Sequence, residues 1–151
     1  MAFESYVFIN CPFDVEYRPL MRSLVFCLLY LDYTPLFSTT QSSADIRINE
    51  IKKLIEKSKF SIHDISRCRP RNRNDIPRFN MPFELGLDLG CKSFGTRKQK
   101  TKKLLILETE RCFYQRIISD ISGQDIANHN DDPEELPCST RSSGCRAGRR
   151  W

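Results

Sequence analysis

Long hydrophobic runs are missing from this chain of 151 residues. A membrane-spanning helix needs roughly 20 consecutive apolar residues, and the longest candidate here, residues 24–31, has only the length of a core helix. The N-terminus also lacks a basic segment followed by an apolar one, so a secretory signal is not expected. These absences favour a cytoplasmic protein that makes no use of a membrane.

Paired metal ligands are missing as well. The seven cysteines form no Cys-x-x-Cys pair and are odd in number, and the two histidines, His63 and His129, stand far apart. Zinc sites use closely spaced cysteine and histidine pairs, so the sequence predicts no metal site. Reduced thiols in the cytoplasm are the simplest account of the cysteines.

The net charge of +5 is concentrated at one end. Residues 138–151 hold four arginines and no acid, and without them 20 basic residues face 19 acidic ones. The body is therefore nearly neutral, which is weak support for nucleic-acid binding. The stretch 137–151 is rich in Ser, Gly and Arg and has no apolar period, so we expect a single domain over 1–136 and a disordered basic tail over 137–151.

Within 1–136, β-prone apolar runs alternate with segments of helical period. Strands are predicted over 5–10, 33–37, 59–65, 103–108 and part of 121–128, and helices over 16–31, after a cap at Asp45, and from Asn80 onward. This alternation predicts an α/β fold, a flavodoxin-like or TIR-like arrangement with a mostly parallel sheet of four to five strands and helices on both faces.

The helix that begins near Asn80 organises the rest of the analysis. Asn80 is predicted to cap it and Gly90 to end it. Glu84 and Asp88 lie four residues apart on a polar face. The opposite face carries Phe83, Gly86, Leu87 and Gly90, where close packing would compensate for the glycines. In the first turn of the helix, Glu84 could serve as nucleophile or general acid/base, or could only complement the helix dipole.

Ligands of open α/β sheets bind at the carboxyl ends of the strands. There the first strand ends at Asn10, and the residues Cys11, Pro12 and Phe13 begin a loop. Asp64 falls near the end of the third strand, at the same edge. Asn10 and Phe13 are weak pocket candidates by position, and Cys11 is a buried thiol beside the predicted ligand edge.

Two groups of basic residues add candidates. Arg47 sits in the first turn of its helix, where a cation opposes the dipole, so it is either a ligand-binding residue or a surface residue. The loop over 66–79 contains five arginines, including Arg78, and leads into the Glu84 helix. It could bind phosphates, or it could be a solvated loop.

Two short motifs resemble a known superfamily. They run from Val7 through Asn10 to Phe13 and from Asn80 through Glu84 to Gly86, and they resemble the nucleoside 2-deoxyribosyltransferase-like and TIR-like nucleotide-processing domains of bacteria. The resemblance covers roughly residues 5–129. It implies that Glu84 is the catalytic carboxylate and that Asp64 helps to bind a nucleoside.

The resemblance also bears on the substrate. The transferases carry an aspartate and a Gly-Thr pair before the glutamate, whereas this chain has residues 78–81, Arg-Phe-Asn-Met, there. TIR-like enzymes cleave the nicotinamide bond of NAD, and many serve in antiphage defence. The resemblance thus implies an N-glycosidase that requires no cofactor, with NAD as one possible substrate. Asp88 or Asp64 would position a ribose hydroxyl.

Three functions stay open at this stage. The first is cleavage of an N-glycosidic bond in a nucleotide, a nucleoside or NAD, with a second copy or a defence-system protein as partner. The second is a non-catalytic nucleotide-sensing or protein-interaction module of the same fold. The third is nucleic-acid association through the arginine loop and tail, which we rank last because no aromatic residues are interleaved with the tail's arginines.

Overall fold

A computed structural model describes residues 2–38, 44–70 and 72–136, excluding the side chains of residues 44–46. Its strands form one parallel sheet in the order β2-β1-β3-β4-β5. They are β1 Tyr6–Asn10, β2 Thr34–Phe37, β3 Phe60–Asp64, β4 Lys103–Glu108 and β5 Asp125–Asn128. This confirms the predicted α/β class, and the order is the flavodoxin-like one. The predicted tail over 137–151 lies outside the described residues.

Helices cover both faces of the sheet. They are α1 Ala2–Ser5, α2 Arg18–Tyr30, α3 Ala44–Lys57 and α4 Asn80–Phe94. Successive side chains of a strand point to opposite faces, so Val7 and Ile9 pack with α2 while Phe8 packs with Ile51 and Ile55 of α3. None of the helices in the described ranges has the length and apolar character needed to cross a membrane.

Three buried side chains on one face of the sheet, those of Asn10, Ser61 and His63, are polar, and we call this strip the polar lane. Asn10 at the end of β1 pairs in register with His63 of β3, and Ser61 precedes His63 on the same face. Ser61 and His63 are both 0% exposed. Helix α4 lies over β1 and β3 and covers this lane. A buried polar lane needs partners for its hydrogen-bonding groups, and α4 supplies them.

The faces of α4 are therefore the reverse of the prediction. Glu84 and Asp88 point inward and are 6% and 0% exposed, whereas Phe83 is 57% exposed. Gly86 and Gly90 face open space rather than a closely packed neighbour. A polar helix face is expected to be exposed only when the surface beneath the helix is apolar. Here the surface beneath α4 is the polar lane.

Several predicted helix ends are also wrong. Asn80 is the first helical residue, and Phe79 takes the cap position without a side-chain hydrogen bond. The helix runs past Gly90 to Phe94, and so places Glu84 in its second turn rather than its first. Helix α3 begins one residue before the predicted cap Asp45. Burial of one face against the sheet sustains the helix beyond its local stop signal.

Candidate active site

Glu84 is a buried carboxylate without a fixed partner. No hydrogen bond to it contributes to its ionisation within the described part of the chain. Burial raises the pKa of Glu84 to about 7, and the positive charge of Arg47 only partly opposes this. The group consequently titrates near neutral pH, where it is suited to take up or release a proton or to face a developing positive charge.

The loop after β1 brings the predicted candidates together. Burial first, and then the negative charges of Asp64, Asp14 and Glu84, raise the pKa of the Cys11 thiol. The three carboxylates therefore surround this loop at the carboxyl edge of the sheet, where the sequence predicts a site. Cys11 itself is 2% exposed and stays a protonated thiol, a poor nucleophile.

The rest of the loop is divided between core and surface. Pro12 is buried. Phe13 is about half exposed and packs edge-on against Phe37 of β2, with ring centroids 6.2 Å apart. An exposed aromatic ring at the mouth of the loop offers a surface on which a base or sugar could pack.

Asn10 presents a carbonyl oxygen to the site. Its Nδ2 donates to the backbone oxygen of Met81 at 2.9 Å and lies 3.0 Å from Nδ1 of His63. If the Asn10 amide were flipped, its oxygen would face the backbone oxygen of Met81, and both atoms are acceptors. Nδ2 therefore occupies this position and Nδ1 of His63 accepts from it. Oδ1 of Asn10 has no partner among the described residues. An amide oxygen in this position can accept a hydrogen bond from a ligand donor.

Asp88 is locked into the core. Its Oδ2 accepts from Nε2 of His63 at 3.0 Å, and its Oδ1 lies 3.2 Å from Nζ of the buried Lys102. Lys102 also donates to the backbone oxygen of Ile55 at 2.8 Å. Burial acts to raise the pKa of Asp88, but His63 and Lys102 outweigh it and the pKa lies below its ordinary value. The geometry favours a role for Asp88 in holding α4 on the sheet, and its predicted contact with substrate stays a prediction.

Asp64 sits in a second buried cluster at the end of β3. Its carboxylate accepts from the Tyr17 hydroxyl at 2.5 Å, the Ser66 backbone at 2.8 Å and Nε2 of His129 at 3.0 Å. Burial acts to raise its pKa, yet these partners, led by His129, hold the pKa below its ordinary value. Asp64 is 0% exposed, so direct contact with a nucleoside likewise stays a prediction.

The remaining candidates lie on the surface of the same edge. Arg47 and Asn80 are exposed, and Arg47 is close enough to lower the pKa of Glu84. Arg78 is about half exposed and its Nη1 lies 3.8 Å from Asp14. No group of three potential metal ligands is arranged to hold an ion in the described ranges.

Sequence reasoning missed the most ordered ion pair of the edge. Arg67 donates from Nε and Nη2 to the two carboxylate oxygens of Asp14 at 3.1 and 3.0 Å. Asp14 also caps the turn at Tyr17. Asp14 follows the Pro-Phe loop at a strand end, and that position was the available signal. The alternation of Phe60, Ser61, Ile62 and His63 likewise indicated a polar face of β3.

A cleft of about 250 Å³ opens beside this ion pair. It lies between the segments that follow β3 and β4, and its lining includes Ser66, Arg67, Arg69, Glu110, Phe113 and Asp131. This is the part of the arginine loop that forms a concave surface.

The fold of this chain is also found in a solved structure of a nucleotide N-glycosidase. The CMP N-glycosidase BcmB of Clostridium botulinum superimposes with a TM-score of 0.60 at 15% identity, over 91% of this chain and 98% of that one. A 2-deoxyribosyltransferase from Leishmania mexicana matches with a TM-score of 0.49 at 23% identity, over 70% of this chain and 65% of that one. No family model and no curated protein matches the chain.

Proposed function

We propose that the protein cleaves the N-glycosidic bond of a nucleotide or nucleoside, with Glu84 as the catalytic carboxylate. The observation that carries this proposal is the contrast among three buried acids. The pKa values of Asp64 and Asp88 are lowered by fixed partners, whereas that of Glu84 is raised to about 7. A buried carboxylate that titrates near neutral pH at the ligand edge of the sheet is a candidate for a catalytic group.

The chemistry follows from charge development. As the bond from the sugar to the base breaks, its electron pair leaves with the base and positive charge builds at the sugar carbon. The Glu84 carboxylate stabilises that charge or captures the carbon covalently, and water then adds to the sugar. A purine or pyrimidine takes up a proton as it leaves, whereas the nicotinamide of NAD leaves as a neutral base and the proton of the added water is released. The free carbonyl oxygen of Asn10 would accept from a sugar hydroxyl nearby.

The name of the Clostridium botulinum structure supports a nucleotide substrate, since that protein is a CMP N-glycosidase. The sequence resemblance extends the proposal to NAD, whose nicotinamide bond is of the same type, and to a role in antiphage defence. We also carry forward the sequence prediction that a second copy or a defence-system protein is a partner.

The test compares Glu84→Gln with wild type on a panel of nucleosides, nucleoside monophosphates and NAD, with released base resolved by chromatography. Wild-type cleavage should rise with pH through about 7 as Glu84 ionises. Glu84→Gln should lose at least about 10²–10³-fold in rate, by analogy with the removal of one group that stabilises transition-state charge. Glu56→Gln, on the exposed side of α3, is the matched control.

Two outcomes would contradict the enzymatic proposal. Unchanged base release by a folded Glu84→Gln protein removes Glu84 from the mechanism. Tight ligand binding by wild type with no product at any pH favours the alternative, a non-catalytic nucleotide-sensing module of the same fold.

A further inference from the structure

We propose that the cleft between the segments following β3 and β4 binds the phosphate of the substrate, so that the protein acts on nucleotides in preference to nucleosides. This inference rests on the proposed function and names the substrate class of that site. The cleft, about 250 Å³ in volume, offers hydrogen-bond donors that the fold leaves unused.

Ser66 lines the cleft and is 8% exposed. Its hydroxyl belongs to the Asp64 cluster, since Oγ lies 3.0 Å from Nε2 of His129 and the side-chain hydrogen bond of Ser66 helps to hold the pKa of Asp64 low. The donors available to a phosphate are therefore the arginines of the cleft.

Arg67 supplies an unused donor. Its Nε and Nη2 are held by Asp14, so the guanidinium is fixed in place while Nη1 is left for a ligand. Arg67 is 7% exposed and lines the cleft beside Ser66. A guanidinium fixed by one carboxylate is pre-ordered to donate to a second anion.

Arg69 completes the donor set, although it is occupied by Glu110. Its Nη1 lies 2.6 Å from Glu110, and the two side chains are 53% and 63% exposed. Ion pairs this exposed contribute little, so a phosphate with several strong acceptor oxygens can replace Glu110. The negative charges of Glu110 and Asp131 would repel an anion. Removing the charge of Glu110 should therefore strengthen phosphate binding.

The position of the cleft suits a substrate that also reaches Glu84. Helix α4 lies over β1 and β3, and the cleft lies at the ends of β3 and β4. Neighbouring parallel strands are about 4.8 Å apart, and a substrate that reaches both places would extend across the adjoining ends of these strands. Tyr114, next to Phe113 of the cleft, packs in the same cluster as Leu85 of α4, which puts both on one face of the sheet.

The experiment measures binding in the Glu84→Gln background, so that turnover does not interfere. Calorimetric titrations compare nucleoside monophosphates with the matching nucleosides and with inorganic phosphate as competitor. We expect the monophosphates to bind at least roughly tenfold more tightly, since hydrogen bonds to charged groups are the stronger ones. Inorganic phosphate should compete with them.

Single substitutions then locate the phosphate. Arg69→Gln should weaken monophosphate binding by roughly tenfold, with nucleoside binding unchanged. Glu110→Gln should strengthen it, because it releases Arg69. Arg116→Gln is the matched control, since Arg116 and Arg69 lie 6.0 and 5.7 Å from the same Phe113 ring but only Arg69 lines the cleft.

Each contrary result overturns the inference. Equal binding of monophosphates and nucleosides, equal effects of Arg69→Gln and Arg116→Gln, weaker binding in Glu110→Gln, or no binding by any of these ligands would each do so. Base release by the wild-type enzyme is measured separately. A nucleoside-cleaving enzyme without phosphate preference would refute the phosphate site and leave the proposed function standing.

Discussion

The inner face of α4 buries two carboxylates one turn apart, and their surroundings differ. Asp88 lies between His63 and Lys102, with every contact set by a strand or a neighbouring segment. Glu84 lies one turn nearer the carboxyl edge, with no bonded partner and only the distant charge of Arg47 to favour its ionised form. Two carboxylates on the same helix face therefore differ in kind. Asp88 is a structural ion, and Glu84 is an acid that titrates near neutral pH.

This difference shows that burial alone does not identify a functional acid. Desolvation acts on both groups in the same direction, and it raises the pKa of a carboxyl unless partners offset it. His63 and Lys102 offset it for Asp88, whereas among the described residues only the charge of Arg47 opposes it at Glu84, and only in part. The described residues give Asp88 hydrogen-bonding partners and give Glu84 none, and this contrast is testable by substitution.

The largest expected effect on stability is at Asp88. Asp88→Asn would leave the buried Lys102 without its counter-charge, and breaking one side of a buried ion pair costs about 3–5 kcal/mol of unfolding free energy. Urea denaturation at neutral pH measures this. Glu134→Gln, an exposed acid, is the control and should cost less than about 1 kcal/mol. A loss at Asp88 as small as the control's would show that the cluster does not hold the helix.

Glu84→Gln should raise the unfolding free energy at neutral pH, whereas Asp88→Asn lowers it, and the size of the effect should be smaller than at Asp88. The folded-state pKa of Glu84, about 7, lies above the unfolded value of 4.5, so wild-type stability is fully present below pH 4.5 and falls as pH rises through about 7. The substitution removes this loss. The advantage of Glu84→Gln over wild type should therefore grow by roughly 2 kcal/mol between pH 5 and pH 8.

Denaturation curves at several pH values test this prediction, with Glu56→Gln as a matched exposed control. A difference between Glu84→Gln and wild type that does not vary with pH would mean that Glu84 is ionised and well solvated in the folded protein. The contrast with Asp88 would then disappear.

The smallest effect is expected on the outer face of the same helix. A Cβ at Gly86 meets nothing within 4 Å, and the residue lies in the middle of α4. Gly86→Ala should raise the unfolding free energy by about 0.5–1 kcal/mol, since alanine loses less backbone entropy in a helix. Destabilisation measured by thermal unfolding would reveal a neighbour on that face, as a second copy of the chain would provide.

Sequence reasoning predicted the strands well and the faces of α4 badly. Continuous apolar runs such as Leu104–Leu107 have few alternatives to a buried strand, and the structure places β4 inside the sheet. The error at α4 was to expect close packing at Gly86 and Gly90 and no burial at Glu84 and Asp88. The partners of Asp88, His63 and Lys102, are 25 and 14 residues away from it in the chain, and helical period carries no information about them.

The site shows the same division. The motifs located Glu84 and the loop at Cys11, because strand ends of a parallel sheet meet at one edge. They did not reveal the pairing of Asp14 with Arg67, or that Asp64 is enclosed by Tyr17, Ser66 and His129. Such pairings depend on which loops lie side by side, and strand order decides this.

The sequence by itself determined the parallel α/β architecture and the edge where a ligand would bind, because alternation, apolar runs and turn residues act over short distances along the chain. Only the tertiary structure decided which acid is left without a partner. The pKa of a buried group depends on charges and donors brought close by folding, and those come from segments far apart in the chain.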